Sequence, residues 1–147
     1  MGGAPVNTEP DALAPLFHGV TNRCFGCSPA NSSGLHLKFS IAEDRTVFCD
    51  AIVSELYEGP PGYLHGGIIA TLLDEAMSKA NRAHGVTAMT RQMSVEYLRP
   101  VPSNTPIRIE GSVTRSEGRK HWTSAHIQNS EGKTLAQATG LFIAVKG

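Results

Sequence analysis

The sequence predicts an α+β fold in which a curved antiparallel sheet of about six strands wraps one long central helix. Three observations carry that prediction. Residues 65–80 contain no proline and no glycine beyond Gly67, and their apolar positions recur at helical spacing. Two segments before this stretch and four after it read as strands, with apolar and polar residues alternating at strand period over 35–41, 107–113 and 122–128. The last strand segments are joined by short runs of turn formers, which pair consecutive strands antiparallel. At 147 residues the chain is one domain with room for a real core, although chains of this size often dimerise to complete it.

In chain order, residues 1–22 are rich in small residues and proline. They are expected to form an N-terminal tail, loose over 1–10 with a possible short helix about 11–17, ahead of a single domain over 23–147. Cys24-Phe25-Gly26-Cys27 follows. A Cys-x-x-Cys can be half of a metal site, here with His18 and His36 as partners. A redox pair would want a helix directly after the cysteines, and Pro29-Ala30-Asn31-Ser32-Ser33-Gly34 reads as loop. No metal ligand is assigned, and Cys49 is expected to be a buried free thiol.

Leu35, Leu37, Phe39 and Ile41 alternate with His36, Lys38 and Ser40, which predicts a strand over 35–41. A second strand over 46–53 completes a hairpin. The loop Tyr57-Glu58-Gly59-Pro60-Pro61-Gly62 then delivers the chain into the helix. On that helix Ile69, Leu72, Leu73, Ala76, Met77 and Ala80 share one face, and Thr71, Asp74 and Ser78 lie opposite. The helix is expected to fray over 82–85. Strands over 90–98, 107–116, 121–129 and 134–145 follow.

The helix carries two adjacent carboxylates in different surroundings. Glu75 has Lys79 four residues on, in the order that suits a solvated helix pair. Asp74 has only hydroxyls nearby, Thr71 and Ser78, so it can hold a water between itself and Ser78 as a general base must. The alternative is a solvated mid-helix position. At the helix entrance Gly66 and Gly67 let another group approach the backbone, and the first N–H groups of a helix have no internal partner. Such donors can stabilise an oxyanion, or the glycines can simply permit a tight turn.

Together these residues resemble the hotdog-fold acyl-CoA thioesterases, in particular the PaaI-like branch. The motif is Gly59-Pro60-Pro61-Gly62-Tyr63-Leu64-His65-Gly66-Gly67 followed by Asp74, and Val95-Glu96-Tyr97-Leu98-Arg99-Pro100-Val101 is similar to the strand that follows the central helix in that family. The resemblance implies hydrolysis of an acyl-CoA thioester, with Asp74 as general base or nucleophile, and no cofactor beyond the coenzyme A of the substrate. It also implies a homodimer or a dimer of dimers, with two sites at each interface and Thr90 of one subunit reaching Asp74 of the other. Arg91, Arg99 and Arg119 become candidates for the phosphates of coenzyme A, since guanidinium suits bidentate phosphate contact. One position departs from the pattern. Several relatives place an amide side chain six residues before the histidine, where this chain has Gly59. Its loss moves the carbonyl contact to His65 and backbone donors, or points instead to a non-hydrolytic acyl-CoA-binding module.

Composition limits the remaining classes. Lysine plus arginine and aspartate plus glutamate each number 13, so there is no excess of positive charge for broad nucleic-acid binding. No apolar run reaches membrane-spanning length, and no charged n-region precedes an apolar core. A cytoplasmic protein without nucleic-acid or membrane partners is expected.

Overall fold

The computed structural model describes residues 5–7, 23–29 and 31–145. Helix α1 runs Gly66–Ala83, and all six residues of the expected apolar face are at most 4% exposed. His84 and Gly85, the latter at φ 77°, close its C-terminus, where the Arg45 guanidinium also donates to the Ala83 carbonyl. The strands are β1 (Pro5–Asn7), β2 (Ser40–Ala42), β3 (Val47–Ile52), β4 (Ala88–Tyr97), β5 (Pro106–Glu117), β6 (Lys120–Gln128) and β7 (Thr134–Ala144). They form one antiparallel sheet in the order β1-β2-β3-β5-β6-β7-β4. The six strands from β2 onward, wrapped on one helix, are the hotdog fold; β1 adds a short edge piece.

Packing follows from period two. Ile107 and Ile109 on β5, with Thr123, Ala125 and Ile127 on β6, turn inward beneath α1, where Leu72, Leu73, Ala76 and Met77 are fully buried. Helix and strand backbones meet at Gly111, where an added Cβ would stand 2.6 Å from the Ala76 carbonyl oxygen. A glycine is required there because the helix backbone lies directly on the strand.

Two differences from expectation concern the N-terminal part. Residues 5–7 pair with β2, whereas a loose tail is predicted there; the possible helix about 11–17 lies outside the described residues. The strand predicted over 35–41 is confined to Ser40–Ala42. Leu35 and Leu37 donate their N–H groups to the carbonyls of Phe25 and Gly26 instead of to a sheet neighbour. His36 sits at φ 54°, which interrupts an extended run. The alternation over 35–39 serves burial rather than pairing, since Leu37 and Phe39 enter the core.

Candidate active site

The entrance to α1 is a fixed turn. The Tyr63 N–H donates to the Pro60 carbonyl at 3.0 Å, with Pro61 and Gly62 (φ 88°) as central residues, so proline and glycine occupy the positions that a type II turn prescribes for them. Leu64 N–H to Val101 O, Ser103 N–H to Gly62 O and Ser103 Oγ to Glu58 Oε2 tie this loop to the segment after β4. His65 then caps the helix, its Nδ1 accepting the Gly67 N–H at 2.9 Å. One of the two expected oxyanion donors is therefore engaged by the cap. The Gly66 N–H has no acceptor among the described residues. Because Nδ1 accepts, the neutral His65 ring carries its proton on Nε2, on an exposed side chain. An added Cβ at Gly59 would lie 3.2 Å from His65 Cα and 3.7 Å from Cδ2, so the missing side chain would have run along this ring.

Asp74 meets a hydroxyl, though from a different quarter than expected. Thr90 Oγ1 donates to Asp74 Oδ1 at 2.6 Å within the same chain, which corrects the expectation that Thr90 serves the partner's acid. The reason is a β-bulge at Arg91: Thr90 pairs with Phe142 and Gln92 with Leu141. The extra residue shifts the alternation, so Ala88 and Thr90 before it share the helix-facing side with Met93, Val95 and Tyr97 after it. Tyr97, which no sequence signal singles out, donates its Oη to the Gly66 carbonyl at 2.9 Å. Strand period alone puts Thr90 and Tyr97 on opposite faces, and only the bulge unites them. Ser78 makes no hydrogen bond to Asp74 among the described residues. The Thr71 hydroxyl turns back to the Gly67 carbonyl at 3.0 Å.

The three arginines do not converge. Arg91 is the exposed bulge residue. Arg99 follows the far end of β4, eight residues or about 26 Å of strand away, so the two cannot share one phosphate within a chain. Arg119 is exposed and donates from Nε to the Ala144 carbonyl, which ties down the end of β7.

Glu75 is also corrected. It is not a solvated partner of Lys79: its side chain is 12% exposed, that of Lys79 only 3%, and the two stand 3.7 Å apart beneath the 24–27 turn. Cys24 Sγ stands 3.7 Å from Glu75 Oε1. Burial, with the nearby Cys24 charge, pushes the Glu75 carboxyl up to about 7. The Cys27 thiol hydrogen-bonds Cys24 and holds it down at about 5, while Cys27 itself is raised by the same bond and by burial. Cys49 is a buried free thiol as expected, pushed up to about 11 by burial. His36 contacts the Asn31 carbonyl and joins neither cysteine; His18 lies outside the described residues.

A family model described as the thioesterase superfamily matches residues 61–136, from the turn before α1 into β7. The chain belongs to the thioesterase superfamily. Bovine acyl-coenzyme A thioesterase THEM4 is 38% identical over 102 residues, which are 69% of this chain and 41% of that protein. The chain thus spans less than half the length of the THEM4 thioesterases that it matches. The crystal structure of another thioesterase superfamily protein superposes with a TM-score of 0.80 at 32% identity, covering 95% of this chain and 69% of that one. The Escherichia coli PaaI protein of the phenylacetic acid degradation operon shares the fold, with a TM-score of 0.70 at 21% identity over 77% of this chain and 82% of its own. Within this superfamily member the matched span contains His65, both helix-opening glycines, Asp74 and Thr90. Among the described residues no helix is long and apolar enough to cross a membrane.

Proposed function

We propose that this chain hydrolyses acyl-CoA thioesters to free acid and coenzyme A, at sites shared between two subunits. The Asp74–Thr90 pair carries the reading: a carboxylate on the helix flank, held through one oxygen by a 2.6 Å hydrogen bond. Its other oxygen takes a proton from water as the water oxygen attacks the thioester carbonyl. The tetrahedral intermediate collapses, the carbon–sulfur bond breaks, and the proton on Asp74 returns to the departing thiolate.

Helix geometry supports a two-subunit site. Asp74 lies eight residues beyond Gly66, about 12 Å along the axis. A single carbonyl cannot accept from the Gly66 N–H and also stand beside a water on Asp74 of the same helix. The donors at the entrance of one helix, Gly66 N–H and His65 Nε2–H, therefore serve a thioester attacked from Asp74 of the other. Strand β4 supports the pairing: its free edge is unpaired among the described residues, and Met89, Tyr97 and Leu98 are 64%, 54% and 49% exposed. Arg91 and Arg99 remain candidates for the phosphates of coenzyme A, from different subunits if both act on one molecule.

Asp74→Asn should lower the release of coenzyme A thiol by about two to four orders of magnitude. An Asp74→Asn enzyme as fast as wild type across short, medium and aromatic acyl-CoAs would refute the assignment. The open position at Gly59 and the engaged Gly67 N–H favour the second reading, a non-hydrolytic acyl-CoA-binding module. Tight binding by the wild-type chain without thiol release would select it.

A further inference from the structure

The Cys-Phe-Gly-Cys turn and Glu75 come from positions about fifty residues apart, yet their ligand atoms converge. Cys24 Sγ, Cys27 Sγ and one Glu75 carboxylate oxygen all lie within 4.8 Å of one another. Zinc binds thiolate sulfur at about 2.3 Å and carboxylate oxygen at about 2.0–2.2 Å in tetrahedral geometry, which sets donors roughly 3.5–3.8 Å apart. Side-chain adjustment of about an ångström therefore closes the three donors around one ion.

The backbone around them is prepared. Ser28 N–H to Cys24 O closes the turn at 3.0 Å, and Leu35 N–H to Phe25 O and Leu37 N–H to Gly26 O clamp it from outside. The turn backbone lies directly against the carboxylate, since a Cβ added at Gly26 would stand 2.6 Å from Glu75 Oε1. Charge points the same way. Three acidic donors gather around one buried ammonium, Lys79, which is 3.7 Å from Glu75 Oε2. A divalent cation on two thiolates and a carboxylate leaves one negative charge, and Lys79 neutralises it. Cys24 is only half-buried, which gives an ion access and leaves water a fourth position.

We propose that Cys24, Cys27 and Glu75 form a three-ligand site for a thiophilic divalent cation, zinc foremost, that fastens the 24–37 segment to α1. The site is separate from the chemistry, since the Asp74 carboxylate faces Thr90 instead. The sequence could suggest the cysteine pair but not its third ligand, because the carboxylate arrives only when the turn lies across the helix.

Cobalt(II) titrated into the reduced full chain tests it. One equivalent per chain should produce thiolate-to-cobalt charge-transfer absorption with the visible bands of a tetrahedral ion, displaced by zinc. Cys24→Ser and Cys27→Ser should each remove most of the charge-transfer intensity. Glu75→Gln should weaken binding at least as much as the ~10–100-fold typical of second-shell changes, while keeping the thiolate bands. Zinc should raise the melting temperature of the wild-type chain and a chelator reverse the gain, a readout that holds even if a variant fails to fold. Reduced wild-type chain without a charge-transfer band at stoichiometric cobalt would overturn the site, as would binding indifferent to Glu75→Gln. Isolation of a Cys24–Cys27 disulfide whose reduced form takes up no cobalt would replace it with a redox pair.

Discussion

Thr90 donates its one hydroxyl proton to Asp74 Oδ1, which leaves the second carboxylate oxygen for water. Hydrogen bonds to charged groups contribute about 1.5–3 kcal/mol, so Thr90→Val should lower kcat by roughly 10- to 100-fold, with the smaller effect on KM. Thr90→Ser keeps the donor and should recover most of the rate; a Ser variant as slow as Val would show that Thr90 acts by packing. The sequence singles out Asp74 as a candidate because a mid-helix aspartate without a countercharge needs some local use, and the structure gives it a hydroxyl partner in Thr90. The burial of Glu75 is not legible. The i,i+4 rule sees only a helix's own surface, and the turn that buries Glu75 and Lys79 enters from residues 24–27.

Among the elements, the helix is readable because it keeps one period, and the later strands because short runs of turn formers bound them. The strand expected over 107–116 is Pro106–Glu117, and that over 121–129 is Lys120–Gln128. The bulge in β4 is not readable, since Thr90-Arg91-Gln92 carries no glycine or other signal of an inserted residue. Yet the bulge decides which side chains face α1. Helix and sheet also meet at one point with no slack, Ala76 over Gly111. Gly111→Val forces α1 away from β5 and should destabilise the fold by about 1–3 kcal/mol or more, read as a lower urea midpoint at unchanged slope. A variant with the wild-type midpoint would mean that the helix can shift freely on the sheet.

For the whole molecule, the separation of the α1 entrance from Asp74 makes a sharp demand on assembly. Gly66→Pro removes the free N–H while keeping the helix, because proline suits the first helical position. His65 already holds φ −62° and ψ 140°, the extended geometry that a residue before proline adopts. A Cβ added at Gly66 would come no nearer than 3.7 Å to a neighbouring side chain, that of Tyr97, an ordinary contact. Gly66→Pro homodimers should be folded and slow, as should Asp74→Asn homodimers. When the two variants are unfolded together and refolded at equal amounts, about half of the two-fold dimers are mixed. In each of these, one site draws an intact Asp74 from one chain and an intact Gly66 N–H from the other, so roughly a quarter of all sites regain activity. Sites built within single chains would regain none, since every chain in the mixture lacks one of the two groups. Recovery near a quarter, with sedimentation at micromolar concentration showing a dimer or a dimer of dimers, is the expected result. A fully active monomer, or folded mixed dimers without recovery, would place both groups outside a shared site and return the carbonyl contact to donors on Asp74's own chain.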